Sequence, residues 1–341
     1  MKRIFIIILT AAIILMSACK TAPAAADPVP EPASTPAAAQ PAPPQPPPPA
    51  PPPPPPPAPP PAPPPPPPAP PPAPPPAPGN AYNGKAGQFE IYTLVESERD
   101  GNADIVPGAT EAIRNRYIPA SGFKQSTNAY LVKAPGRNII IDTGTGMDDI
   151  IIDKIRKLGV EPEMVDAVLL THLHGDHIGS LQRDGRPVFP RAKVYLENRE
   201  RDHFTRVAVN QGAVAALNAY GSNVVTFNAQ PLGPVYSELL PGICVIAAYG
   251  HTPGHVVYML SSGRERLFVA GDFLHVALVQ FPHPEISATY DMDQAAAAAT
   301  RRALLDYAAT YRIPIAGMHI VYPGIGYVER DGDGYRFIPL Q

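Results

Sequence analysis

The 341-residue chain has no tryptophan and only two cysteines, Cys19 and Cys244. Two cysteines far apart, in unlike contexts, exclude a disulfide framework and a cysteine-built zinc site. Charge of one sign is also missing. Lys and Arg number 27 against 30 Asp and Glu, for a net charge of −3. No basic run stands out, so no nucleic-acid partner is expected. Long apolar runs are absent too, and none is long enough for a comfortable membrane span. What is abundant is proline: 50 residues, most of them before Gly79. That is too many for a single globular chain and divides the sequence into unlike parts.

The first part reads as an export signal. Lys2 and Arg3 precede the apolar run "IFIIILTAAIILM", and Ser17 and Ala18 then lead to Cys19. This resembles a bacterial lipoprotein signal over residues 1–18, with Met16 where leucine is commoner. Cleavage would leave Cys19 as a lipid-modified first residue. Lys20, not aspartate, follows, which favours an outer membrane where the cell has one. An ordinary secretory signal with an incidental cysteine is the alternative. Residues 19–85 form a proline-rich spacer. Proline lacks the backbone donor and fixes φ, so this tract builds neither helix nor sheet. As polyproline II at ~3.1 Å per residue, its dense part would reach about 120 Å. It serves as a stiff tether or a passive linker. Residues 86–341 are enough for one domain with a substantial core.

Within that domain, "QFEIYTLVES" alternates as a strand does, and "TNAYLVKAPGRNIIIDTG" is two apolar runs around Pro-Gly. "DDIIIDKIRKLG" fits a short helix closed by Gly159. "VDAVLLT" is a continuous apolar run, as in a buried strand. "AKVYLE", "GICVIAAYG", "HVVYMLS", "RLFVAGD" and "IPIAGMH" are further strands, and "YVERDGDGYRFI" is a hairpin about Asp-Gly. "GAVAALNAYG" is a helix. Asp291 with Gln294 three residues on reads as a capping box opening "QAAAAATRRALLDYAATY". Strands outnumber helices, which favours two sheets covered by helices over a doubly wound sheet.

Three of the nine histidines fall in "THLHGDHIG". His172 and His174 stand two apart just after a buried strand, so both imidazoles can reach one ion. Gly175 lets the chain turn, and Asp176 and His177 can face a second ion. Imidazole mixed with carboxylate suits zinc or a similar divalent metal. Four ligands are too few for two metals. The further candidates stand at strand ends: His255 in "GHTPGH", Asp272 in "VAGD" and His319 in "GMH". His251, which opens that turn, reads as a brace that hydrogen-bonds it. His203 and His283 read as surface histidines, and Cys244 as a small buried apolar residue. His275 either lines the pocket or packs beside it.

Taken together, in this order and after these strands, the residues resemble the metallo-β-lactamase superfamily. The resemblance covers roughly residues 88–341 and implies an αβ/βα sandwich with two metal ions, expected to be zinc, at one edge. It implies that His172, His174 and His255 hold the first ion, that Asp176, His177 and His319 hold the second, and that Asp272 bridges them. Asp272 stands where penicillin-destroying members of classes B1 and B2 carry cysteine. The C-terminal helical domain of glyoxalase II has no counterpart in the roughly twenty residues after His319. "GDFLHVALVQFPHPEISATYDMD" and "GMHIVYPGIGYVERDGDGYRFIPL" are similar to the methyl parathion hydrolase branch.

The implied chemistry is hydrolysis by a hydroxide bridging two cations, which ionises near neutral pH. Asp176 and Asp272 would orient it, and one would pass a proton to the leaving group. The expected substrates are small neutral esters, lactones or aryl esters first, with organophosphate triesters as an additional activity. Phe123, Phe273 and His275 are the candidate substrate contacts. A β-lactam or thioester hydrolase is the enzymatic alternative, and a structural surface lipoprotein the non-enzymatic one. Oligomeric state is not legible in the sequence.

Overall fold

The computed structural model describes residues 83–340 apart from 234 and 235. The signal, Cys19 and nearly all of the spacer lie outside the described residues. In chain order the strands of a first sheet begin with β1 (Asn83–Ala86), β2 (Phe89–Asp100), β3 (Lys124–Ala134), β4 (Arg137–Ile141) and β5 (Val165–Leu169). A small hairpin follows, β6 (Gln182–Arg183) with β7 (Arg186–Pro187), and then β8 (Lys193–Glu197) and β9 (Val224–Phe227). The sheet order is β1-β2-β3-β4-β5-β8-β9, with the first four strands antiparallel and the rest parallel.

A second sheet is built from β10 (Ser237–Leu240), β11 (Ile243–Ala247), β12 (Val256–Ser262), β13 (Glu265–Val269), β14 (Ile315–Ala316), β15 (Ile325–Asp331) and β16 (Gly334–Pro339), in that order. Only β13 and β14 run parallel, because α7 (Gln294–Tyr311) crosses over between them. The remaining helices are α1 (Glu111–Tyr117), α2 (Ile150–Lys157), α3 (Gly175–Ile178), α4 (Asn198–Asp202), α5 (Gln211–Tyr220) and α6 (Ala277–Gln280).

The period of two along each strand sorts side chains into layers. Ile139 and Ile141 of β4, and Val256, Tyr258 and Leu260 of β12, point into the core between the sheets. Ile140 faces the other way, onto Ile151 and Ile155 of α2 and the apolar side of α5. Val257 and Met259 face outward onto Leu304, Leu305 and Ala308 of α7. Burying one such aliphatic side chain stabilises by about 2 kcal/mol. Helices thus cover the outer face of each sheet, and the αβ/βα sandwich expected from the motif order is the fold observed.

Three local expectations are corrected. The cap of α7 is Asp293, whose side chain accepts from Ala296 N at 3.0 Å, and Asp291 is buried and engaged elsewhere. The strand expected at "IPIAGMH" shrinks to Ile315–Ala316, because Asn128 Nδ2 donates to the carbonyls of Gly317 and Ile320 and bends the segment away. Cys244 is half-buried in β11, not enclosed. Among the described residues no helix is long and apolar enough to cross a membrane.

Candidate metal centre and substrate cleft

Every chemically suggestive residue sits just beyond the carboxyl end of a strand. His172, His174, Asp176 and His177 follow β5, His251 follows β11, Asp272 follows β13 and His319 follows β14. The ends of both sheets therefore meet at one edge of the sandwich. Beside a smaller cluster of His251, His275 and Asp291, two larger groups of side chains converge there: His172, His174, His251 and Asp272 in one, Asp176, His177, Asp272 and His319 in the other. Asp272 belongs to both.

In the first group, His174 Nδ1 lies 3.0 Å from His172 Nε2 and 3.0 Å from His251 Nε2. Asp272 Oδ2 is 3.4 Å from His251 Nε2 and 3.7 Å from His172 Nε2. In the second, Asp272 Oδ1 is 3.2 Å from His177 Nε2, and Asp272 Oδ2 is 3.1 Å from His319 Nε2. Asp176 Oδ2 closes that group at 3.6 Å from His319 Nε2 and 3.7 Å from His177 Nε2.

The far nitrogens fix these rings. Asp142 accepts from His177 Nδ1 at 2.7 Å and from the Thr171 hydroxyl at 2.6 Å. With its proton committed to Asp142, the Thr171 hydroxyl oxygen is left as acceptor for His172 Nδ1 at 3.1 Å. His319 Nδ1 donates to Ser126 O at 2.9 Å, and His251 Nδ1 is 3.0 Å from Asp291 Oδ1. Four imidazoles are thereby left with the Nε2 lone pair aimed inward. His174 alone turns Nδ1 to the centre.

This donor set fits divalent cations. Three ring nitrogens converge in the first group, where a proton on one satisfies at most one neighbour. In the second, His177 Nε2 and Asp272 Oδ1 are buried without a hydrogen-bond partner. Orphans of that kind are costly unless an ion completes them. Burial pushes His172 well below its ordinary value and His174 down to about 4, so both rings are neutral and able to donate a lone pair. Burial would raise Asp272, but His177, His319 and His275 hold it well below the usual carboxylate range.

His255 does not join the centre, which corrects the ligand set expected from the sequence. Its Nδ1 donates to Ala248 O at 3.0 Å, and its Nε2 accepts from the backbone N–H of Asp272 at 2.9 Å. Both nitrogens are spent. Gly271, at φ +57°, leaves just enough room for that ring, since a Cβ there would strike His255 Nε2. The roles expected for the two histidines of "GHTPGH" are exchanged: His255 braces the turn, and His251 faces the metal group. His203 and His283 belong to neither group.

A cleft of about 600 Å³ opens over the centre, lined among others by Arg99, Gln125, Asp176, His275 and Tyr290. A second cavity of about 420 Å³ adjoins it, and His275 and His319 line both. Its remaining walls include Phe123, Leu278, Phe281, Val321 and Phe337 and are mostly apolar. His275 thus lines the pocket, with Nε2 3.2 Å from Asp272 Oδ2 and Nδ1 buried without a partner. Phe123 lines only the apolar cavity. Phe273 lines neither, because it is buried in the core beneath α7, which corrects its expected role in binding substrate.

Sequence reasoning missed Glu200. It lies on α4, fully buried, and ties together the two segments that carry histidines. Its Oε1 accepts from Leu173 N at 2.9 Å, and its Oε2 accepts from the Thr252 hydroxyl at 2.6 Å and Gly254 N at 2.9 Å. Burial pushes its carboxyl up to about 7 in spite of these three donors. "LENRERD" reads as a solvated charged face, and nothing in its spacing betrays the buried member.

Comparison with known proteins agrees with this geometry. The sequence profile of the metallo-beta-lactamase superfamily matches residues 123–310, more than half of the chain. The chain belongs to the metallo-beta-lactamase superfamily and carries the candidate metal centre of a hydrolase. Its particular relatives include protein YobT of Bacillus subtilis (strain 168), 30% identical over 151 residues, which are 42% of this chain and 60% of YobT. The chain thus matches less than two thirds of that relative's length. Among solved structures, the hydrolase AbOPH of the beta lactamase superfamily is 28% identical with a TM-score of 0.67, over 76% of this chain and 97% of AbOPH. AidC, a dizinc quorum-quenching lactonase, is 24% identical with a TM-score of 0.68, over 76% of this chain and 97% of AidC, and shares the fold.

Proposed function

We propose that this protein is a dinuclear metallohydrolase that cleaves small neutral esters, with lactones or aryl esters as its main substrates and phosphotriesters as an additional activity. One observation carries the reading. Two candidate ligand groups sharing Asp272 lie beneath a polar cleft, and an apolar cavity adjoins that cleft at His275 and His319. Such a pair of spaces suits a substrate with a polar reacting end and an apolar remainder. The similarity of residues 271–341 to the methyl parathion hydrolase branch supports the same substrates.

His172, His174, His251 and Asp272 would hold one cation, and Asp176, His177, His319 and Asp272 the other. Divalent cations bound there supply Lewis acidity and a water that ionises near neutral pH. The protein's share is orientation and proton handling. Asp176 is half-buried at the cleft and is the carboxylate best reached by a leaving group. Asp272, anionic and anchored at its backbone by His255, keeps the two groups at a fixed separation. His275, with Nε2 3.2 Å from Asp272 Oδ2, stands in the wall shared by the two spaces and shapes the passage of a substrate past Asp272. No serine or cysteine nucleophile is required.

The test is a substrate profile of zinc-reconstituted protein with metal analysis. We expect about two metals per chain and the highest kcat/KM on a lactone or aryl ester. A cephalosporin or glutathione thioester preferred at least a hundredfold, about 2.7 kcal/mol of transition-state discrimination, would replace this assignment with the β-lactam or thioester reading. Protein that takes up no metal and gains no activity would leave a structural lipoprotein. We further propose that a lipidated Cys19 and the proline-rich spacer tether the domain to a bacterial envelope membrane.

A further inference from the structure

Arg301 is the largest fully buried side chain among the described residues, in the middle of an otherwise alanine-rich helix. Its Nε donates to Phe273 O at 2.6 Å. Its Nη1 donates to Pro284 O at 2.9 Å and Ile286 O at 3.1 Å, and its Nη2 to Asp291 Oδ2 at 3.1 Å. The same Asp291 oxygen accepts from Ala288 N at 3.0 Å, and the other, Oδ1, meets His251 Nδ1 at 3.0 Å. A buried ion pair loses several kcal/mol of hydration per ion, and well-packed apolar residues often stabilise a fold as well or better. Fold stability therefore does not account for this pair.

What the pair touches does. The segment after Asp291 is laced to the turn that carries His251. Met292 N donates to His251 O at 3.1 Å, Asp293 N to Gly250 O at 2.9 Å, and the Thr300 hydroxyl to Tyr249 O at 2.8 Å. Gly250 is pressed so closely against the start of α7 that a Cβ would collide with Ala297. At the other end, Arg301 holds the carbonyl of the residue next to Asp272. One helix thus grips two of the three segments that bring the first metal group together.

We propose that Asp291 and Arg301 are positioning residues: Asp291 holds His251 in the Nδ1–H tautomer with Nε2 turned to the first metal group, and Arg301 holds Asp291 in place for it. This rests on the metallohydrolase reading, but its test separates the two. Zinc affinity is measured on the full chain by competition with a chromophoric chelator, for wild type, Asp291→Asn and Leu305→Ala. Leu305 is buried on the same helix in the apolar cluster against the second sheet and belongs to neither candidate metal group, so its truncation is a control for lost stability. The expected result is that Asp291→Asn weakens one of two zinc sites 10- to 100-fold. The other site stays within about threefold, and Leu305→Ala lowers Tm with both affinities unchanged.

Wild-type affinity at both sites in Asp291→Asn, or equal zinc loss in Leu305→Ala, would overturn the positioning role. Wild type that binds no zinc would instead end the metallohydrolase reading. Imidazole nitrogen NMR of metal-free wild type decides the case where Asp291→Asn does not fold. A single Nδ1–H tautomer at His251 supports the proposal, and an Nε2–H tautomer overturns it.

Discussion

Three residues separate His251 from His255, and a single turn gives them opposite jobs. The sequence motif names the turn but not which ring reaches the ions. What decides is each ring's neighbours: Gly271 and the Asp272 backbone for His255, His174 and Asp291 for His251. We expect His251→Ala to lose about one zinc equivalent and at least a hundredfold in kcat/KM. His255→Ala should keep both metals at saturating zinc while unfolding more easily, by about 2–4 kcal/mol, from the cavity and two lost hydrogen bonds. Metal analysis with thermal denaturation of both variants distinguishes the roles, and the opposite pattern would restore His255 as a ligand. The convergence of the six other side chains of the two candidate groups was legible because they stand in local patterns that end strands. Asp291, Arg301 and Glu200 were not, because a buried charge is written with the same letters as a solvated one.

Between elements, Glu200 joins the loop after β5 to the loop after β11. Its carboxyl, pushed up to about 7 by burial from an ordinary 4.5, binds its proton more tightly folded than unfolded. The resulting stabilisation is complete below about pH 4.5 and is lost as pH rises through about 7. In metal-free protein, wild type should therefore lose stability relative to Glu200→Gln across that window. Denaturant titrations at pH 4.5, 6 and 8 check the sign, and a pH-independent gap between the two would contradict it. Most elements themselves were legible from alternation and turn residues, as in "TNAYLVKAPGRNIIIDTG", where β3 and β4 flank Pro135 and Gly136. The short β14 and the cap of α7 were not. The first is cut by Asn128 from a distant strand, and the second depended on which of two nearby aspartates faces outward.

For the whole molecule, the spacing of helical and strand periods favoured two sheets covered by helices, and the αβ/βα layer order came with the family resemblance. The position of Phe273 did need it: a phenylalanine beside a ligand aspartate can turn into the cleft or into the core, and only the packing of α7 excludes the first. On the anchoring proposal, full-length Cys19→Ser should leave the membrane fraction for the soluble one, and unchanged membrane association would refute the tether. The apolar cavity has a different kind of consequence. Leu278 comes from α6, Phe281 caps its end, Val321 follows His319 and Phe337 lies on β16, and none of the four is a proposed ligand. Leu278 and Val321 are also substantially exposed, at 41% and 39%, so exchanging them disturbs little of the core. A substitution at any of the four changes the cavity wall without removing a side chain of either candidate metal group. On the hydrolase proposal, remodelling that one wall is a way to alter the diet of such a protein while the machinery at the strand ends is left as it stands.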